Sequence, residues 1–230
     1  HSLSLPPSFS LLAMADALTA DAVTKRYGRQ APVLRDFSHR FAPGTLTVLT
    51  GPNGSGKTTL MRLLSVLATP SEGTIHYGTQ VIHDAPHRYL RHVGIVHAEA
   101  VLPEQLTAVE LLQWVMRSRG AWTDDTGAAT VRQWLDRVAL DERREQRIAT
   151  YSSGMVKKTQ IAAAFVAAPD VLLMDEPLRS LDAHARTATL DALTAFRDDG
   201  GLAIVASHLT DDLLARTDTH LELAAPTPSA

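Results

Sequence analysis

Cysteine is absent from the 230 residues, which excludes disulfides and thiolate metal sites and is compatible with the cytosol. No apolar run approaches the roughly 20 residues needed to span a bilayer. If the protein works at a membrane, the spanning part is expected from another chain. A surplus of one charge is also missing. With 25 acidic residues against 22 basic ones, no global field points to nucleic acid or anionic lipid. There is no internal repeat, so a single ligand-binding unit is expected per chain. No Lys or Arg precedes Lys25, so the opening stretch lacks the basic region of a signal peptide. The chain begins at His1, and Met14 is a candidate start. Residues 1–15 are read as a disordered leader or a vector-derived segment, and residues 225–230 as a disordered tail. Between them, residues 16–224 have the length of one domain with a sizeable core.

What is present is concentrated in residues 45–68, TLTVLTGPNGSGKTTLMRLLSVLA. Thr45 to Thr50 alternates β-branched and apolar residues, as a strand does, and Leu60, Leu63, Leu64 and Leu67 recur at helical spacing. Between them, Gly51-Pro52-Asn53-Gly54-Ser55-Gly56-Lys57-Thr58, followed by Thr59, fits G-x-x-x-x-G-K-[ST]. The glycines permit backbone angles that turn successive N–H groups inward, against the positive end of the new helix. That is a cradle for phosphate oxygens. Lys57 is placed to reach the β- and γ-phosphates of a nucleoside triphosphate, and the Thr58 hydroxyl to ligate Mg²⁺.

Around this unit the pattern predicts short strands at 23–27, 33–41, 74–77 and 93–96. Buried strands follow at 171–174 and, after Gly200-Gly201, at 202–206. From 107 to 160 the period becomes helical. Val109, Leu112, Val115 and Met116 line one face, and Val131, Trp134, Leu135 and Val138 the next. The tryptophans of this stretch are read as core packing. The fold class is therefore α/β, a phosphate-loop sheet of mostly parallel strands with an antiparallel β edge and an inserted helical subdomain at about 107–160.

A second constellation closes the buried strand at 171–174, where Asp175 and Glu176 stand side by side. One carboxylate at such a strand end can hold Mg²⁺, and the next can orient or deprotonate a water. With these motifs in order, the chain from about Leu18 to Leu223 resembles the ATP-binding subunit of an ABC (ATP-binding cassette) transporter. Tyr151-Ser152-Ser153-Gly154-Met155 stands in the place of the family's signature. Leu181-Asp182 matches the loop after the catalytic glutamate, His208 the switch histidine, and Tyr27 the aromatic residue that stacks on adenine.

The resemblance implies a P-loop NTPase whose two copies pair head to tail around two ATP molecules. Each nucleotide is held by the phosphate loop of one copy and Ser152, Ser153, Gly154 and Met155 of the other. Glu176, Lys57 and His208 are implied as catalytic, Thr58 and Asp175 as Mg²⁺ ligands, and Asp182 as a link across the dimer. It further implies ATP hydrolysis that energises a separate transmembrane permease, with the chain peripheral on the inner face of the membrane. The Tyr-Ser-Ser-Gly-Met form resembles subunits serving export-type permeases.

Two departures stand out. Ala98 occupies the position where the family usually carries a glutamine, so either Glu99 or Gln105 substitutes for it or that link is lost. Ser153 and Met155 replace the usual glycine and glutamine, a change expected to be tolerated. Histidines 83, 87, 92 and 97 invite a zinc site, but no pattern fixes them on one face, and exposed or packed histidines are expected. Other readings of the chain are a soluble ABC-type assembly ATPase and a poorly hydrolysing, ATP-dependent dimerisation switch. A chromosome-maintenance ATPase is excluded, because the stretch from Lys57 to Ser152 is too short to hold its long coiled coil.

Overall fold

A computed structural model describes residues 15–99, 101–207 and 211–224. The switch position His208, residues 1–14 of the expected leader 1–15 and the tail 225–230 lie outside the described residues, whereas Ala15, the last residue of that leader, is buried in the core with β1 and so belongs to the fold. In chain order the elements begin with β1 (Leu18–Lys25), β2 (Leu34–Phe41), β3 (Thr45–Thr50), α1 (Lys57–Leu64), β4 (Glu72–Tyr77) and β5 (Gln80–Val81). They continue through α2 (Pro86–Tyr89), β6 (Val93–Val96), α3 (Ala108–Ser118), α4 (Gly127–Arg137) and α5 (Ser153–Phe165). The last are β7 (Val171–Asp175), α6 (Ala183–Asp198), β8 (Leu202–Ala206), α7 (Asp211–Leu214) and β9 (Thr219–Glu222).

Two sheets form. Strands β2-β1-β4-β5 make an antiparallel sheet, and β6-β7-β8-β3-β9 make a second sheet in which every pairing is parallel. Side-chain alternation divides the core between the two faces of the parallel sheet. Leu172 and Met174 of β7, with Val48 of β3 and Val205 of β8, pack against α3, α4, α5 and α6. Val171, Leu173, Leu49 and Ile204 face the other way, onto α1 and the antiparallel sheet. This is why 171–174 and 202–206 read as unbroken apolar runs. Helices α3 to α5 leave the chain between β6 and β7, which are neighbours in the sheet. The first of them starts on a reciprocal cap in which Thr107 accepts from Glu110 N–H and the Glu110 carboxylate accepts from Thr107 N–H.

Several boundaries differ from the sequence expectation, each for a local reason. Strand β1 starts at Leu18 instead of Val23. Its buried residues Leu18, Ala20 and Val23 lose their two-residue period at Ala22, where a positive φ of 47° and a register shift insert one extra residue. Helix α1 ends at Leu64, because the chain turns at Val66 with φ of 60°. Leu67, expected on the buried face, is consequently 62% exposed. Of the tryptophans, Trp134 is buried and stacks on Phe165 with ring centres 4.7 Å apart, whereas Trp114 is 63% exposed. On α3 the buried residues are Ala108, Leu111, Leu112 and Met116, a stripe that leaves position 114 facing outward. The short pairing strand β5 and the edge strand β9 carry too little apolar pattern to be seen in sequence. Among the described residues no helix is long and apolar enough to cross a membrane.

Candidate nucleotide site

Parallel strands deliver their carboxyl ends to one edge, and the register here aligns them closely. Leu49 pairs with Ala206, Asp175 with Ala206, and Val96 with Met174. The ends of β6, β7, β8 and β3 are therefore neighbours, although they are far apart in sequence. They surround a cavity of about 550 Å³ lined by Val33, the stretch Asn53–Thr59, Ala98, Asp175, Glu176 and Arg179.

The phosphate loop is held open by its own backbone. Gly51, Gly54 and Gly56 have φ of 141°, 81° and 96°, a region that side chains disfavour. A Cβ at Gly51 would stand 2.3 Å from the Leu223 carbonyl oxygen and 2.7 Å from Ser55 Oγ, so this position also needs glycine for space. Helix α1 has no side-chain cap, and its first N–H groups open on the loop. Lys57 Nζ donates to the carbonyls of Gly51 at 2.7 Å and Pro52 at 3.2 Å. Ser55 Oγ is buried without a hydrogen-bond partner among the described residues. An inward-facing donor of this kind, beside main-chain N–H groups and an ammonium, suits an oxyanion ligand.

Thr58 and Asp175 both line the cavity, and the Thr58 hydroxyl lies near enough to the Asp175 carboxylate to favour its charged form. Burial raises the pKa of Asp175 above the usual carboxylate value, and the charge of Glu176 raises it further. The Thr58 hydroxyl and the charges of Lys157 and Lys57 act the other way. A hydroxyl and a carboxylate at one cavity wall, beside the phosphate loop, make an oxygen donor pair of the kind Mg²⁺ uses next to a polyphosphate, so these residues fit that ion. Glu176 stands at φ of 47°, with its N–H bonded to the Ala206 carbonyl at 2.8 Å and one carboxylate oxygen accepting from Ser207 Oγ at 3.2 Å. The strained backbone turns the second acid toward the cavity, whereas an ideal strand would point it away from Asp175.

The remaining predicted residues divide by place. Tyr27, 41% exposed in the loop after β1 with Lys25 Nζ 5.0 Å from its ring centre, does not line the cavity, whereas Val33 of the same connection does. Ala98 lines it, but Glu99 and Gln105, the two candidate substitutes for a glutamine there, do not. Ser152 caps α5, its Oγ accepting from Met155 N–H at 3.3 Å, and both Ser152 and Ser153 are exposed outside the cavity. Gly154 packs onto the loop after Glu176. A Cβ there would lie 2.6 Å from the Ser180 carbonyl oxygen, a tertiary requirement that the motif alone did not reveal. The four histidines go separate ways. His83 bonds the Ala68 carbonyl, His87 is exposed, His92 pairs with Asp170, and His97 sits past the end of β6.

Asp182 does two local jobs. It caps α6 by accepting from Ala185 N–H at 2.9 Å, and it pairs with Lys158 of α5 at 2.6 Å. The cap first and the lysine second hold its pKa below the usual carboxylate value. A carboxylate with a depressed pKa contributes stability above its unfolded pKa and loses it as pH falls through the folded one. Asp182→Ala is expected to cost about 1 kcal/mol through the lost cap, while Asp182→Asn keeps most of it. Urea denaturation at neutral pH checks the order, and the gap between wild type and Asp182→Asn should shrink toward acid pH.

A family model described as ABC transporter matches residues 34–179. A phosphonates import ATP-binding protein of Anaeromyxobacter dehalogenans is 33% identical over 224 residues, covering 93% of this chain and 45% of that protein. A linearmycin resistance ATP-binding protein of Bacillus subtilis is 31% identical, covering 85% of this chain and 62% of its own length. A cytochrome c biogenesis ATP-binding export protein of Cupriavidus metallidurans is 33% identical over 197 residues, with 85% and 91% covered. The chain thus spans about half to two thirds of the first two relatives and nearly all of the third. Among solved structures, an ATP-binding subunit of an ABC transporter superposes with a TM-score of 0.84 at 26% identity, over 90% of this chain and 85% of the other. A dimeric ATP-binding cassette in a post-hydrolysis state with ADP and Pi shares the fold, with a TM-score of 0.81 at 23% identity over 90% and 94% of the two chains. The phosphate loop, the acid pair and these likenesses agree: the chain belongs to the ABC transporter family, as a nucleotide-binding domain.

Proposed function

We propose that this chain binds and hydrolyses Mg-ATP as a head-to-tail pair and so drives a separate membrane permease. The observation that carries the reading is the gathering of Lys57, Thr58, Asp175 and Glu176 at the wall of one cavity. Asn53–Thr59 grip the polyphosphate through main-chain N–H groups and the Lys57 ammonium. Thr58 and Asp175 would hold Mg²⁺, which would supply charge neutralisation for the polyphosphate. Glu176 takes the proton of the attacking water, its carboxylate steadied by Ser207 Oγ. His208 contacts the γ-phosphate and Tyr27 stacks on the adenine, both roles resting on the family pattern.

Ser152, Ser153, Gly154 and Met155 face the nucleotide of the second copy. The exposure of Ser152 and Ser153 at the start of α5, away from the chain's own cavity, supports that arrangement, while Gly154 and Met155 are half-buried behind them. Asp182 ends the loop after Glu176, is tied to α5 through Lys158, and relays the state of one site to the other. Relatives named for import and for export or resistance both occur, and the Tyr-Ser-Ser-Gly-Met signature favours export. Working through a permease places the chain at the inner face of the membrane.

The test is Mg-dependent ATP turnover by the purified chain, together with co-purification from membranes. Turnover and a co-purifying integral membrane protein support the proposal. Turnover with only soluble partners would assign the chain to assembly work. Tight Mg-ATP binding with turnover at background would make it a dimerisation switch, the reading that Ala98 favours.

A further inference from the structure

Lys157 is 6% exposed, one of the few charged side chains buried in the described fold. It lies on α5, five residues after the Ser152 that starts the helix. Its Nζ donates to the carbonyl of His97 at 2.6 Å and to that of Ala98, a cavity-lining residue, at 3.4 Å. An ammonium out of water is costly unless its protons are bonded and its charge is met. The charges that meet it are those of Asp175 and Glu176, with Arg179 opposing them. Burial lowers the lysine's pKa, and the two acids pull it back up. A methylene stem of the same length would fill the space equally well, so packing alone does not account for the cation.

We propose that Lys157 is a positioning residue for ATP turnover: it fastens α5 to the end of β6 and sets the field at the Asp175–Glu176 pair. The proposal rests on the cavity being the ATP site. Ala98 offers no polar side chain at the wall of that cavity, and the polar tie at this point comes from the neighbouring helix through main-chain carbonyls. The same helix begins at Ser152–Gly154, the segment assigned to the second copy's nucleotide. A shift of the α5 start on dimerisation therefore moves a positive charge relative to both acids, which links closure of one site to turnover in the other. Lys157 itself does not line the cavity, so it acts through Ala98 and the acid pair and leaves the initial grip on nucleotide to the phosphate loop.

The test uses the full chain with Mg-ATP, measuring affinity with a fluorescent ATP analogue alongside kcat and KM. Lys157→Met removes the charge and keeps the stem. It is expected to bind nucleotide within about threefold of wild type and to lose about tenfold or more in kcat, the scale of one hydrogen bond to a charged group. Lys157→Arg should recover kcat to within about threefold of wild type, since it restores a cation and donors. A folded Lys157→Met with wild-type kcat overturns the proposal, as does a folded Lys157→Arg no faster than Lys157→Met. If Lys157→Met does not fold, Lys157→Gln takes its place. That variant keeps a donor without the charge, and wild-type kcat from it also overturns the proposal. A wild-type chain that fails to bind Mg-ATP would instead remove the ATP-site reading beneath it, a result read before any variant is made.

Discussion

Glu176→Gln should bind Mg-ATP, lose about a hundredfold or more in kcat, and elute as a dimer in the presence of ATP. The loss is the scale of a general base removed from its reaction. The substitution is nearly isosteric, and the amide oxygen can still accept from Ser207 Oγ as the carboxylate does at 3.2 Å. The backbone at φ of 47° carries over unchanged, so the fold should melt within a few degrees of wild type. What changes is charge. Glu176 raises the pKa of Asp175, and removing that charge lets Asp175 ionise more readily. Metal binding should hold or strengthen while proton abstraction fails. Two copies that close around ATP then have no route to reopen by hydrolysis. Size-exclusion chromatography with Mg-ATP reads the outcome directly. A variant that binds ATP and remains monomeric counts against the head-to-tail pair, and one that turns over at the wild-type rate counts against Glu176 as the base.

Lys57→Ala should lower Mg-ATP affinity by roughly ten- to a hundredfold, the worth of charge-assisted hydrogen bonds from one ammonium to phosphate oxygens. Two features of the site separate this effect from a folding defect. The bonds Lys57 makes within the protein go to the Gly51 and Pro52 carbonyls of a surface loop, so their loss is expected to cost little stability. The loop itself is shaped by its glycines and by the contact of Gly51 with Leu223, and neither depends on the lysine. Fluorescent nucleotide titration with and without Mg²⁺, beside a thermal melt, checks both statements. Unchanged affinity with an intact melt would remove Lys57 from the site. Lys57→Arg is not a rescue here, since a planar fork cannot occupy the place of a point charge folded against two loop carbonyls.

Much of the candidate site is legible in the sequence. The phosphate loop announces itself because a backbone that needs positive φ at three places within six residues requires glycine there, and that constraint is written locally. Asp175 and Glu176 were visible because they close an unbroken apolar run, the mark of a strand buried on both faces. Other features were not legible, for equally physical reasons. The bulge at Ala22 broke the period on which strand β1 would have been recognised. Leu67 and Trp114 are apolar residues at plausible helical positions, and only the turn at Val66 and the packed stripe of α3 turn them outward. No pattern of neighbours could reveal that Gly154 meets Ser180, that Asp182 caps one helix while pairing with Lys158 of another, or that Lys157 reaches His97 and Ala98.

By itself the amino-acid order determined the chemistry available to this protein: an anion cradle with its lysine, a hydroxyl and an acid suited to Mg²⁺, and a second acid beside it. These rest on backbone freedom and side-chain identity within a few consecutive residues. Only the tertiary structure decided that they meet. The strand order β6-β7-β8-β3-β9 brings Thr58 and Asp175 to one cavity across more than a hundred residues of chain, and the packing of α5 on β6 brings a buried ammonium within electrostatic reach of both acids. Such contacts depend on which surfaces exclude water together, and no short stretch of sequence carries that information.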